Sequence, residues 1–305
     1  KSGLDLDITQ NLEIWAIVSL EEISLNNPSQ INIIAGYGVG IKKDTSEICI
    51  SNFSKELLYL NLLDIVPVGF RVNLEIIFPN GKFLAERTSN KSFGIVEGLS
   101  IIGTSAETYS SASSDQLEDA KKNLSNLIKN DFQGKVVFVI GENGLNLAKT
   151  LNVNLPILKV GNWIGPLLVD AAIKDVKTVI LFGYHGKLIK LAGGIFHTHN
   201  HLADGRIEIL VYLAVKEKIP PEIIFKLSHF ITLEDALLFI EEFDKSIAEK
   251  LFQKLSNTIE TRSFAYVNRY VKTDIKLAAI IFDRKRKIRW SGINGNDFIS
   301  YFQCN

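Results

Sequence analysis

Residues Phe70 to Phe78 alternate between apolar and polar positions, with Val72, Leu74, Ile76 and Phe78 on one face, and so read as a half-buried strand. Pro79-Asn80-Gly81 then turns the chain, and Lys82 to Arg87 reads as the returning strand of a hairpin. Leu12 to Leu20 and Ile31 to Ala35 are further strand candidates, and Ser54 to Leu63 reads as a helix. This mixed order predicts an α+β domain over residues 1–114.

From Asp115 the period changes. Leu117, Ala120, Leu124 and Leu127 with Ile128 make a helical stripe through Asp115 to Lys129. Three short apolar runs of the buried parallel type follow: Lys135 to Ile140, Pro156 to Val160 and Thr178 to Phe182. Helical segments at Leu145 to Thr150 and Ile164 to Lys174 separate them, which gives the βαβαβ order of a doubly wound α/β domain. Beyond Leu202 the pattern is helical. Pro220-Pro221 opens one helix, Thr232-Leu-Glu-Asp235 opens a second as a capping box, and Ser246 to Thr258 forms a third. Leu277 to Phe282 and Lys287 to Trp290 read as a β-hairpin with a charged tip. The expected division is therefore residues 1–114, residues 115–260, and a terminal segment 261–305 able to pack back on the first domain.

Length agrees with this division, since 305 residues is about two domains at roughly 150 each. With 46% apolar and 22% charged residues, disorder is excluded as the main content. The 34 basic residues balance the 34 acidic ones, which argues against a nucleic-acid partner. Cys49 and Cys304 make no disulfide framework, so a reducing cytoplasm is expected. No apolar run is long enough to span a membrane, and the first residues lack a signal-peptide core. There is no methionine, so Lys1 is not read as the natural start, and methionines are read as replaced or dropped along the chain.

Each parallel run ends in a glycine: Gly141 in Gly141-Glu-Asn-Gly144, Gly161 in Gly161-Asn-Trp-Ile-Gly165, and Gly183 in Gly183-Tyr-His-Gly186. Parallel strands bring their carboxyl ends to one edge, where open α/β sheets bind ligands. The alternative is that these glycines only relieve strand-to-helix turns. Four of the five histidines, His185, His197, His199 and His201, come after the third run, with Asp204 and Arg206 close behind. In an extended chain His197, His199 and His201 share a face. Three uses stay open: a metal site with Asp204, a catalytic or substrate loop with Arg206 holding a carboxylate, and a structural role. Gly94, Gly98 and Gly103 punctuate an apolar run ending in Thr104 and Ser105, either an anion cradle or a bulged buried strand. No GxGxxG or GxxxxGK[ST] fingerprint occurs, and no acidic residue ends the second parallel run.

Gly36-Tyr-Gly-Val-Gly-Ile41, Leu84-Ala-Glu-Arg-Thr-Ser-Asn90, the run from Gly94 to Thr104, Gly161-Asn-Trp-Ile-Gly165, and above all Gly186 to His199 with Ala203-Asp204 resemble CbiD, the cobalt-precorrin-5B C(1)-methyltransferase family. The resemblance runs from Asp5 to the terminal hairpin. It implies transfer of a methyl group from S-adenosylmethionine to ring carbon C-1 of a cobalt corrinoid in anaerobic cobalamin synthesis. It also implies an α+β domain followed by a Rossmann-like parallel-sheet domain with extra helices and a hairpin. The family's Gly/Thr-rich segment upstream of Asp5 has no counterpart here. On this reading His197 and His199 are the catalytic candidates. Lys187, Lys190, Asp204, Arg206, Gly103 and Thr104 are the substrate candidates. Gly141, Glu142, Asn143, Gly144, Gly161, Asn162 and Gly183 are candidates for the cofactor. No protein-bound metal is expected, since cobalt arrives with the substrate, and homo-oligomerisation stays open. The rival readings are a non-catalytic corrinoid or tetrapyrrole binder and a metal-dependent hydrolase.

Overall fold

The computed structural model describes residues 9, 11–23, 30–88, 90–91, 94–103, 114–129, 133–199 and 202–302. The candidates Thr104 and His201, and Cys304, lie outside them. The chain divides into two compact units, residues 1–110 and 111–305.

In the first unit β1 (Trp15–Glu22), β2 (Ile31–Ala35) and β5 (Phe70–Ile77) form a sheet in which β5 is central, antiparallel to β1 and parallel to β2. Val72, Leu74, Ile76 and Phe78 are buried, as the alternation requires. Two small ladders join β3 (Gly38–Val39) to β7 (Gly98–Leu99) and β4 (Ile41–Lys42) to β6 (Ile95–Val96). Helix α1 (Asn52–Leu63) starts where Ser51 accepts a hydrogen bond from the Ser54 amide at 3.1 Å.

The hairpin expected after Phe78 is not formed. Residues Gly81–Ala85 make a short helix, α2, instead of a returning strand. The reason is topological: β5 already has a neighbour on each side, so a return strand has no edge to join. A Cβ at Gly81 or Gly98 would overlap the Gly38 carbonyl group, so these glycines serve close backbone packing. In this part of the Gly94 to Gly103 run, Ile95–Val96 and Gly98–Leu99 pair as two short strands.

The second unit opens with α3 (Ser114–Lys129) and holds a five-stranded sheet of β8 (Lys135–Ile140), β9 (Ile157–Lys159), β10 (Thr178–Tyr184), β11 (Lys276–Phe282) and β12 (Ile288–Ser291). The strand order is β12-β11-β10-β8-β9, with all but β12 parallel. Order therefore reverses at the gap between β8 and β10. Side-chain alternation along the strands separates two cores. Val136, Phe138, Ile140, Val179 and Leu181 pack with α5 (Ile164–Ile173), α6 (His185–Ala192), α7 (Arg206–Lys216) and α10 (Lys245–Val267). Val137, Val139, Ile180 and Phe182 pack with α4 (Glu142–Thr150) and the closing turn Ile299–Phe302. Pro221 starts α8 (Pro221–Leu227), and Thr232 accepts from the Asp235 amide at the head of α9 (Leu233–Phe243).

The terminal hairpin is formed, but not as a separate segment. β11 lies beside β10 in the same sheet, because its fully apolar run needs cover on both faces. A buried carboxylate ties this end down. Glu260 of α10 accepts from the Ala279 and Gly295 amides at 3.0 and 2.8 Å with one oxygen, and from the Asn294 amide at 3.0 Å with the other. Asn294 and Gly295 belong to the short helix α11 (Ile293–Asn296). Burial nevertheless pushes the Glu260 carboxyl above its ordinary range.

Candidate functional site

The carboxyl ends of β8, β9, β10 and β11 share one edge of the second unit, because the four strands are parallel. Gly141 comes directly after β8 with φ +81°, in the region that favours glycine, and Glu142, Asn143 and Gly144 already form the first turn of α4. Arg286 at the hairpin tip donates to the Asn143 side chain at 3.2 Å. Glu142 is ion-paired with Lys159. A Cβ built on Gly141 would lie 3.7 Å from the Lys187 ammonium, so that cation stands at the gap where strand order reverses. Lys187 has no hydrogen-bond or ion-pair partner among the described residues. Burial, then the nearby Lys159 charge, push its pKa below the usual lysine range.

Gly183 is not in a loop. It sits inside β10, buried and paired with Ile140 on one side and Ile281 on the other, because β10 runs on to Tyr184. A Cβ there would meet the Ile140 and Leu188 side chains at 3.2 and 3.3 Å.

The histidine segment is also not one extended stretch. Its first part is α6, and residues 193–199 form a loop, so the face expected to be shared by His197 and His199 is not set by a strand. The loop is instead bound to the turn after β9. The Thr198 amide donates to the Asn162 carbonyl at 3.1 Å, and the Thr198 hydroxyl donates to the Asn162 side-chain oxygen at 3.1 Å. The Gly165 amide donates to the Phe196 carbonyl at 3.0 Å. Lys190 is wholly buried and donates to the carbonyls of Thr198 and Ala203, at 3.1 and 2.8 Å. Asn162 and Lys190 thus shape the loop itself.

His197 meets Trp163 edge to face with ring centroids 4.4 Å apart, and its centroid is 6.4 Å from that of His199. Burial, with a smaller effect of the Lys190 charge, lowers the His197 pKa, which keeps the ring neutral near pH 7. The Trp163 indole nitrogen is buried with no hydrogen-bond partner among the described residues.

Arg206 is already engaged. Its guanidinium makes a two-pronged contact with Asp204, at 2.6 and 2.8 Å, which holds the Asp204 carboxyl below its usual range. The pair lines a cavity of about 270 Å³ with Glu208, Ser228 and Ile231. Gly103, in the first unit, offers its carbonyl to the Ser51 hydroxyl at 2.5 Å.

Residues outside the sequence-derived set complete this edge. His185 Nε2 lies 2.9 Å from a Glu234 oxygen that also accepts from the Tyr184 hydroxyl at 3.0 Å. Glu234 was visible only as part of a capping box, and Trp163 only as a residue between two glycines. Among the described residues, no three His, Cys, Asp or Glu side chains form a metal-sized cluster, and no helix is long and apolar enough to cross a membrane.

A parallel α/β unit with glycine turns and histidines at one edge is the arrangement of a small-molecule-binding protein. The family described as CbiD matches residues 1–110, and that described as CbiD, C-terminal domain matches residues 197–292. A protein of Prochlorococcus marinus strain MIT 9215 named cobalt-precorrin-5B C(1)-methyltransferase is 79% identical over 99% of this chain and 83% of its own length. Relatives of the same name from strains MIT 9515 and NATL2A are 68% and 45% identical, over 99% and 97% of this chain and 82% and 80% of theirs. A crystal structure of cobalamin biosynthesis protein (cbiD) from Archaeoglobus fulgidus is 22% identical with a TM-score of 0.39, over 70% of this chain and 64% of that one. The chain belongs to the CbiD family.

Proposed function

We propose that the chain transfers a methyl group to carbon C-1 of cobalt-precorrin-5B in cobalamin biosynthesis, with S-adenosylmethionine as donor. The observation that carries this reading is 79% identity over nearly the whole chain to a relative named for that reaction. We read the second unit as Rossmann-like, supported by four parallel strands whose order reverses between β8 and β10. The reading also places the protein in the cytoplasm, with cobalt carried by the substrate.

The residues at the gap suit the methyl donor. Gly141 leaves room for a close approach, since a Cβ there would meet only the Lys187 ammonium, at 3.7 Å, and that ammonium offers a carboxylate partner. When bound, the donor supplies an electrophilic methyl group on a sulfonium. The protein's part is alignment and proton handling, since an in-line displacement depends on placing carbon against methyl. Neutral His197 is the group suited to take up a ring proton. His199 stands close enough to support it.

The test is to incubate the purified protein with cobalt-precorrin-5B and methyl-labelled S-adenosylmethionine. Label is expected in the corrinoid at C-1, with S-adenosylhomocysteine released in equal amount. Binding of the corrinoid without label transfer would favour the non-catalytic binder instead.

A further inference from the structure

Four basic residues, Arg284 to Lys287, close the hairpin between β11 and β12. The Asp283 amide donates to the Lys287 carbonyl at 2.9 Å and the Arg286 amide to the Asp283 carbonyl at 3.0 Å, so residues 284–286 form a three-residue loop. Its last residue, Arg286, holds φ +62°, a left-handed conformation that such loops ordinarily give to glycine. Glycine would relieve that strain, so the position is held for the arginine side chain itself.

The Arg286 guanidinium donates to the Asn143 side chain at 3.2 Å, in the first turn of α4. That contact locates the tip. It leaves the sheet at the carboxyl end of β11, where Phe282 pairs with Tyr184 of β10, and reaches the turn after β8. Because β10 lies between β11 and β8, the tip crosses the end of β10 and borders the gap where strand order reverses. The Arg284 charge reaches Tyr184 and Glu234 there.

The positive charge of the tip is not neutralised within the turn. All four basic residues are exposed, in a chain whose total charge is balanced. Asp283, the acid of the turn, is buried and accepts from the Lys287 amide at 3.0 Å and from Arg289 at 3.1 Å. Among the described residues no carboxylate pairs with Lys285, Arg286 or Lys287. Several separate cations on an open rim suit a broad ligand with several separate carboxylates. The ring substrate carries carboxylates around its periphery, whereas the methyl donor has one.

We infer that the hairpin tip from Arg284 to Lys287 captures side-chain carboxylates of the ring substrate at this edge. The inference rests on the corrinoid-methyltransferase reading above.

Two variants test it, each verified as folded by circular dichroism. Lys285→Gln with Lys287→Gln removes charge and leaves the turn as it is, while Arg286→Gly removes the guanidinium and relaxes the backbone. Both should raise KM for cobalt-precorrin-5B roughly tenfold or more with kcat within about twofold, the pattern of lost substrate binding. Added salt should raise the wild-type KM more steeply than that of the double variant, because screening acts on exposed charges. Affinity for S-adenosylhomocysteine, read by calorimetry, should stay within about twofold. The thermal midpoint of Arg286→Gly should hold or rise. Unchanged KM in both folded variants would overturn the inference, and a lower midpoint with it would make Arg286 a brace for α4 alone. The same salt response in wild type and double variant would reject the charge assignment. Weakened S-adenosylhomocysteine with unchanged KM would give the tip to the donor and overturn the inference. Wild-type protein that transfers no methyl group would remove the methyltransferase reading itself, a result distinct from all of these.

Discussion

Asn162 and Thr198 hold each other twice, backbone to backbone and side chain to side chain, each at 3.1 Å. Through this pair the turn after β9 and the histidine loop act as one piece. Thr198→Val keeps the shape of a buried side chain but removes its hydroxyl. The expected loss is about 1 kcal/mol of stability, read by urea unfolding, because one neutral hydrogen bond is lost. A larger loss in kcat should accompany it, since His197 is the adjacent residue. Unchanged kcat would show that the brace does not position the ring.

Gly165→Ala strikes the same junction from the helix side. An added Cβ would sit 2.7 Å from the Tyr266 hydroxyl and 2.8 Å from Phe196 Cβ, closer than real contacts allow. Thermal unfolding should show a loss of roughly 1–3 kcal/mol from overpacking. A variant as stable as wild type would mean that Tyr266 swings aside freely.

Lys187→Met should separate stability from binding. The ammonium is largely buried without an opposite charge, and removing an unpaired buried charge relieves its desolvation cost. The midpoint of thermal unfolding should therefore hold or rise. Affinity for S-adenosylhomocysteine, measured by calorimetry, should fall roughly tenfold or more. Unaltered affinity would remove the donor from the gap between β8 and β10.

On the role proposed for His197, the pH dependence of the reaction follows the titration of that ring. Burial lowers its pKa, so the neutral, proton-accepting form persists below the ordinary histidine value of about 6.5. Protonation removes the base, so kcat/KM should stay level from neutral pH downward and drop only on an acid limb below about 6.5. A limb at or above that value would assign the proton step to another group.

Balanced charge gives a further expectation, that a random RNA or DNA oligonucleotide binds weakly. Tight binding that falls steeply with salt, seen by fluorescence anisotropy, would contradict it.

The parallel strands of the second unit were legible because burial on both faces leaves continuous apolar runs, as in Val136 to Ile140. The helix starts at Pro221 and Thr232 were legible from local capping chemistry. Lys82 to Arg87 was misread because a turn signal names a change of direction and not the edge available to a strand. Gly183 was misread because a glycine at the end of an apolar run does not reveal whether its neighbours continue the ladder. Within the site, the histidines and glycines were visible as residue types. The Trp163–His197 contact and the Glu234–His185 pair join residues far apart in sequence, and neither leaves a periodic trace.

Glu260 carries a consequence for the order in which the molecule is made. Its carboxylate is buried in α10, yet the amides that satisfy it come from Ala279, Asn294 and Gly295. A nascent chain that ends before Gly295 holds a complete α10 with an ionisable group that has lost its donors. Until those residues leave the ribosome, the second unit has reason to stay open at this point. Its completion waits for residues 279–295, and a chain cut before them keeps a carboxylate in its interior without the amides that satisfy it.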